Sequence, residues 1–167
     1  GGERDMFTPF SGNHMIISAE KSYLHEDRAL SVLNLIRYLK LEGERKQVDA
    51  DRKTDGALLS KLRKQKSPDV PAVLEKVIAG GRRLDEISTA MNACYLWRVA
   101  CAQPHSLILA GNTLFAGGND EVAAYSTSDG KQIWTAKVNG AALGIAVAHG
   151  RLLVSTDKGT IHCCTAK

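Results

Sequence analysis

The sequence predicts a mainly β fold of short antiparallel four-stranded units, one of them interrupted by a helical insertion. Three observations carry this expectation. Short apolar runs, each closed by turn residues, follow one another from about Ser106 onward. The pattern recurs with a period of roughly 40 residues. A stretch of roughly 55 residues with helical spacing separates two parts of the first copy.

The middle copy is the most regular. Leu107-Ile108-Leu109, Leu114-Phe115-Ala116 and Val122-Ala123-Ala124-Tyr125 are closed in turn by Gly111-Asn112, by Gly117-Gly118-Asn119-Asp120 and by Ser128-Asp129-Gly130. A fourth run, Lys131 to Ala136, completes the unit. Gly, Asn and Asp belong at such closures because they tolerate left-handed backbone or bond their own chain. The next copy repeats the order with Ile145–Ala148, a His149-Gly150 turn, Arg151–Val154, an Asp157-Lys158-Gly159 turn and Ile161–Cys164. Leu107 corresponds to Ile145 and Leu114 to Leu152, an offset of 38 in both cases. Four short strands per unit at this period are the signature of β-propeller blades.

A third copy lies at the N-terminal side. Ile16–Ala19, a Glu20-Lys21 turn, Ser22–Leu24 and Leu30–Asn34 align with the first three strands of the middle unit, an Ala closing the first strand of each copy (Ala19, Ala110, Ala148). Its fourth strand comes late, as Tyr95–Val99, with Trp97 answering Trp134. The expected organisation is therefore blade strands over 14–34, an inserted segment over 35–93, the delayed fourth strand over 94–101, a second blade over 106–138 and a partial third over 143–167. Propellers close with roughly four to eight blades. Fewer than three are expected here, so the sequence reads as the C-terminal portion of a longer protein, or as one that closes by self-association.

Within the insertion, Leu58, Leu59 and Leu62 follow a Thr54-Asp55 start, and Val70, Val73, Leu74, Val77 and Ile78 have helical spacing. Pro71 suits a first turn and Gly80-Gly81 a stop. Leu84, Ile87 and Met91 extend the stripe, and Leu35, Ile36 and Leu39 begin an earlier helix that Gly43 ends. The expectation is three or four short amphipathic helices, which must pack to be stable.

Charge divides the chain in the same way. The net charge is +4, and the segment Leu35–Ala93 holds 13 Lys and Arg against 9 Asp and Glu, so the excess sits in the insertion. No apolar run approaches the roughly 18 residues of a membrane-spanning helix. The opening Gly1-Gly2-Glu3-Arg4-Asp5 has no apolar signal-peptide core.

The stretch Ala124-Tyr125-Ser126-Thr127-Ser128-Asp129-Gly130-Lys131-Gln132-Ile133-Trp134 resembles the tryptophan-docking motif of PQQ-like (quinoprotein-type) propeller repeats, Ala-x-Asp-x-x-Thr-Gly-x-x-x-Trp. Ala124, Gly130 and Trp134 match at the right spacing, while Ser126 replaces the Asp and Asp129 the Thr. The sequence is thereby similar to BamB-like and PQQ-binding-like repeat proteins over about 110 residues. The resemblance implies that Trp134, and by equivalence Trp97, is buried between neighbouring blades. It also implies a periplasmic or exported location. PQQ and calcium enter only if the chain is part of a quinoprotein oxidoreductase whose ligands lie in other blades.

Candidate chemistry is sparse. The cysteines Cys94, Cys101, Cys163 and Cys164 match no zinc, redox or haem spacing and read as small buried hydrophobes. A vicinal pair on a strand points one residue to each face, so Cys163-Cys164 reads as packing rather than a PQQ-facing disulfide. The histidines His14, His25, His105, His149 and His162 sit at unrelated strand ends and turns, without metal-ligand spacing. Asp120, Asp129 and Asp157 are turn residues. Gly117-Gly118-Asn119 precedes no helix and is no phosphate loop. No nucleophile–base pair or carboxylate pair stands out, so no catalytic, cofactor or metal residue is assigned.

Lys61, Arg63, Lys64 and Lys66 form a basic run that reads first as a solvated helix face and second as a face for an acidic protein partner. With no interleaved aromatics and with Asp49, Asp51, Asp55 and Asp69 around it, nucleic acid is disfavoured. The expected function is a non-catalytic propeller scaffold whose partners are the remaining blades of the same protein or a second copy, together with a protein ligand. The alternative is the C-terminal part of a quinoprotein-like oxidoreductase.

Overall fold

The structure is a computed structural model and describes residues 12–26 and 28–165. The chain divides into two compact units: one comprises the strands on either side of the insertion, the other spans Asn34–Tyr95.

The strand unit begins with β1 (His14–Ser18), β2 (Lys21–Glu26) and β3 (Ala29–Asn34), completed by β4 (Tyr95–Ala100) in the order β1-β2-β3-β4. A second sheet holds β5 (Ser106–Ala110), β6 (Thr113–Gly117), β7 (Asn119–Ser126), β8 (Gln132–Ala148), β9 (Arg151–Thr156) and β10 (Ile161–Thr165), in the order β10-β9-β8-β7-β6-β5. The pairings recorded for β1–β2 and for β5–β10 are antiparallel. Among the described residues the chain is mainly β with a helical insertion, as its patterning indicates.

β8 runs unbroken through what the sequence suggests is a boundary near 139–142. Its first half pairs with β7 and its second half with β9. The change of partner comes at Gly140, whose φ of +102° would strain any residue with a Cβ. Two carboxylates hold the bend: Gly140 N donates to Asp120 Oδ1 at 2.8 Å, and Ala141 N to Asp157 Oδ1 at 2.8 Å. The strand persists because these side chains satisfy the amides that a break would leave unpaired.

Two apolar clusters form the core, one between the two sheets and one within the second sheet, on either side of the bend in β8. Tyr23, Leu30, Val32, Trp97 and Val99 from the first sheet pack against Leu107, Leu114, Ala116, Ala123 and Tyr125. On the opposite face of β5–β8, Val122, Phe115 and Val138 pack against Ala142, Ile145, Leu152 and Val154. Each Val, Leu, Ile or Phe among them contributes about 1.5–3 kcal/mol when fully buried.

The first hairpin turns one residue earlier than expected. Ser18 pairs with Lys21, so the turn is Ala19-Glu20, with Ala19 at φ +52°. Gly111 and His149 hold the same left-handed turn position, at +57° and +49°. Aligning the copies on their alanines therefore misplaces the first by one residue, which exchanges the two faces of the strand. Ile16 corresponds to Ile108, not to Leu107.

The other unit is a hairpin of two long helices, α1 (Leu35–Lys64) and α2 (Val70–Asn92), rather than three or four short ones. Asn34 caps α1 by accepting from Arg37 N at 3.0 Å, and Pro71 occupies the first turn of α2. Neither Gly43 nor Gly80-Gly81 ends a helix. Gly43 has nothing within 4 Å of where a Cβ would stand, and α1 passes through it. At Gly80, by contrast, a Cβ would lie 3.4 Å from Cβ of Arg52, so the small residue lets that side chain of α1 lie close. Leu59, Val73, Ile87 and Met91 form the buried seam. Glu42 is buried too, held by two bonds from Arg45 at 2.8 and 2.9 Å. Among the described residues no helix is long and apolar enough to cross a membrane.

Candidate inter-sheet docking site

The best-defined site is where β4 meets the turn between β7 and β8. Trp97 is half-buried on β4, and its Nε1 donates to the carbonyl of Thr127 at 3.0 Å. Gly130 lies beneath the ring: a Cβ there would come 2.6 Å from Cε3 and 2.9 Å from Cζ3 of Trp97, and 2.9 Å from Cγ1 of Val99. Gly130 has φ +73°, so both conformation and space demand glycine.

The turn is braced internally. Gly130 N donates to Ser126 O at 2.9 Å, and Ser126 N to Lys131 O at 2.9 Å. Ser128 N donates to Ser126 Oγ at 3.2 Å, a local side-chain bond that holds the turn. Asp129 Oδ1 accepts from Lys131 N at 3.2 Å; that bond, with the nearby Lys131 ammonium, holds the carboxyl below its usual range.

The four residues of the candidate docking motif, Ala124, Gly130, Trp134 and Trp97, are not equivalent. Ala124 is buried and lies between Phe115 and Trp134 across the strands. Trp134 is 38% exposed, against the expectation that both tryptophans are buried. What covers Trp97 has no described counterpart over Trp134.

A polar network that the sequence reading missed adjoins the site. Gln103, in the link from β4 to β5, is buried. Its Oε1 accepts from Tyr125 Oη at 2.6 Å and from Cys101 Sγ at 3.4 Å, and its Nε2 donates to Glu121. Burial, then the neighbouring Cys101 and Glu121, push the Tyr125 phenol upward, so it remains a donor. The available signal was Gly118, read only as a turn residue. A Cβ there would stand 2.9 Å from Cγ of Gln103, so the glycine makes room for the amide.

Three of the five histidines come together. His14 and His25 face each other across the first hairpin, their rings stacked with centroids 5.9 Å apart. His14 Nε2 lies 3.1 Å from the carbonyl of His105. His25 is fully buried, and neither ring nitrogen has a partner. Desolvation, then the charge of His14, lower its pKa. Placing the turn one residue late had hidden this pairing.

The cysteines also separate. Cys94 and Cys101 are buried, but Cys163 is exposed on the outer face of β10, where no described residue covers it. Among the described residues no three His, Cys, Asp or Glu side chains gather as a metal-binding group. Lys61, Arg63 and Lys64 occupy the last turn of α1, where cations complement the helix dipole, and Lys66 follows at φ +51°. Lys61 and Lys64 share one side of the helix, while Arg63 lies about 200° around from Lys61. The run is a basic helix end rather than a single face.

A family model described as outer membrane protein assembly factor BamB matches residues 51–167, more than half of the chain. Among solved structures, the chain is similar to the crystal structure of the computationally designed Ika4 protein, with a TM-score of 0.52 and 7% identity. That likeness covers 92% of this chain and 64% of the other, so the chain spans less than two thirds of that protein's length. At such identity the likeness concerns the fold alone. No curated protein matches the sequence.

Proposed function

The chain belongs to the family of the outer membrane protein assembly factor BamB, and on that basis we propose that it is a non-catalytic interaction module built from propeller blades. In this reading 14–34 with 94–101 make the first blade, 106–138 the second and 143–167 part of a third, and 35–93 is a helical arm inserted between two strands. Trp97 and Gly130 are the fastener between the first two blades, Ala124 backs the outer strand, and Trp134 is the same fastener awaiting its cover.

The observation that carries the reading is the character of the stacked faces. They meet through aliphatic and aromatic side chains, and Gln103 and Tyr125 beside them bond each other. Such groups stabilise a surface and have no evident means of activating a substrate. A family described as an assembly factor fits a protein that holds other proteins. The basic end of α1, with Lys61, Arg63, Lys64 and Lys66, suits an acidic stretch on such a protein partner.

The competing reading is an oxidoreductase fragment with its PQQ and calcium ligands elsewhere. Calorimetric titration of the chain with PQQ plus Ca²⁺ separates the two. The scaffold reading expects no saturable heat; one-to-one binding at micromolar concentration overturns it.

A further inference from the structure

Successive backbone amides at the bend of β8 are each taken by a titratable side chain from a different place in the sheet. Asn139 N donates to His162 Nε2 at 3.0 Å, Gly140 N to Asp120 Oδ1 at 2.8 Å and Ala141 N to Asp157 Oδ1 at 2.8 Å. Asp120 stands near the start of β7, Asp157 follows β9 and His162 lies on β10. Asp157 also closes a reciprocal pair, its own N donating to Ala141 O at 3.1 Å.

The three bonds differ in what they join. β8 pairs with β7 as far as Ala141 and with β9 from Ala142. The Asp120 bond ties β8 to a strand it already pairs with, and the Asp157 bond ties it to the turn after its other partner. The His162 bond reaches further, from β10 past β9 to the β7-paired half of β8, and so fastens hairpin β9–β10 across the bend. The bend itself is tight: Gly140 has φ +102°, and a Cβ on it would collide with Oδ1 of Asp157.

Nε2 of His162 accepts from Asn139 only while it carries no proton. Of the three side chains, histidine is the type that changes charge between pH 5 and 8. A proton on Nε2 sets a donor against the Asn139 donor, and the bond is lost. The titratable groups on the elements around the ring are Asp120 and Glu121 of β7, Lys137 of β8, Asp157 and Lys158 of the turn before β10, and Cys164 on β10 itself. The lysines oppose a charged ring. The carboxylates attract it, and Asp120 and Asp157 already hold Gly140 and Ala141, so an imidazolium competes for the oxygens that fix the bend. Both consequences loosen the same place.

We infer that the bend of β8 is an acid-sensitive hinge: protonation of His162 at Nε2 releases the Asn139 amide and frees hairpin β9–β10 to move against the β7-paired half of β8. The apolar packing of Val122 and Val138 with Leu152 and Val154 remains, so the hairpin loosens without unfolding. None of these bonds depends on the blade reading, since all lie within the second sheet and its turns.

The test is a pH titration of the full chain by ¹H–¹⁵N NMR, from about pH 7.5 to about pH 5. The Asn139 amide proton is expected to move upfield along the same curve as the His162 ring. Its protection from exchange, taken relative to Leu114 in β6 so that changes in global stability cancel, should fall about three- to tenfold, the loss of one hydrogen bond. In His162→Gln, whose Oε1 accepts at either pH, both readouts should keep their high-pH values. His162→Leu, with no acceptor, should show the low protection throughout. A parent in which Asn139 keeps its shift and protection overturns the inference. A pH response that survives in His162→Gln traces it to other groups and overturns it equally. If that variant does not fold, the parent alone decides: an Asn139 curve that departs from that of the His162 ring rejects the hinge.

Discussion

Trp97 and Gly130 occupy one position between them: the indole fills the volume that a side chain at residue 130 would take, and its N–H reaches the Thr127 carbonyl three residues earlier. Removing either half should therefore loosen the same junction. Trp97→Ala is expected to cost about 2–4 kcal/mol, somewhat below a fully buried tryptophan because the ring is half-exposed. Gly130→Ala is expected to cost about 1–3 kcal/mol through left-handed strain and collision with the ring. In a Trp97→Ala background the Gly130→Ala cost should fall toward the strain alone. Urea titrations of the four proteins check this; an additive pair would show that the two residues do not share the site.

Trp134 matches Trp97 in sequence yet is 38% exposed. Trp134→Ala is expected to lower stability by less than about 1 kcal/mol, as for an exposed site without special features. In a Trp97→Phe protein, Trp134 is the sole tryptophan, and its emission should be quenched readily by acrylamide. A shielded, blue-shifted emission would contradict the exposure.

Gln103 joins Tyr125, Cys101 and Glu121 in a buried cluster. Gln103→Leu should cost about 1–3 kcal/mol, since it leaves a phenol and a carboxylate without their partner. Tyr125→Phe should partly relieve that loss when added to Gln103→Leu. A double-mutant cycle measured by denaturant unfolding reports the coupling, which should clearly exceed zero.

His25 gives a pH dependence of definite sign. Its folded pKa lies below the usual histidine value of about 6.5, because burial, then His14, penalise the imidazolium. The unfolded chain therefore binds the proton more tightly. This contribution to stability is present above about pH 6.5 and is lost as pH falls through the folded pKa. Stability measured from pH 7.5 down to 5 should decline more steeply for the parent than for His25→Phe. Equal slopes would exclude His25 as a source.

Gly43 distinguishes one long helix from two short ones. Within a continuous α1, with open space where its Cβ would stand, Gly43→Ala should add about 0.5–1 kcal/mol to the stability of the hairpin. Were Gly43 a helix end in left-handed conformation, the same change would destabilise. Far-UV circular dichroism melts decide the sign.

Much of the strand order was legible because it rests on local signals. The 38-residue offset from Leu107 to Ile145, and the turn glycines between strands, mark the hairpins of β5–β10 without reference to anything distant. The insertion was legible as helix for the same reason, its apolar residues recurring at helical spacing. Its length was not: Gly43 and Gly80-Gly81 look like stops in isolation, and the chain on either side of them carries the helix through. The candidate site was half legible. Its motif at Ala124, Gly130 and Trp134 was visible, but the tryptophan that fills the place over Gly130 is Trp97, far away in sequence.

What the sequence by itself determined is the alphabet of the fold: which stretches are strand, which are helix, and where most of the turns between strands fall. Those properties follow from residue periodicity and backbone preference, which act within a few positions of each other. Tertiary structure decided which of the two tryptophans is covered, that His14 faces His25, that Gln103 finds Tyr125 and Glu121, and that β8 bends at Gly140 instead of ending. Each of these depends on register and on what packs across the sheet. A one-residue shift at the Ala19-Glu20 turn exchanges the faces of a whole strand, while leaving the local composition that sequence reasoning sees unchanged.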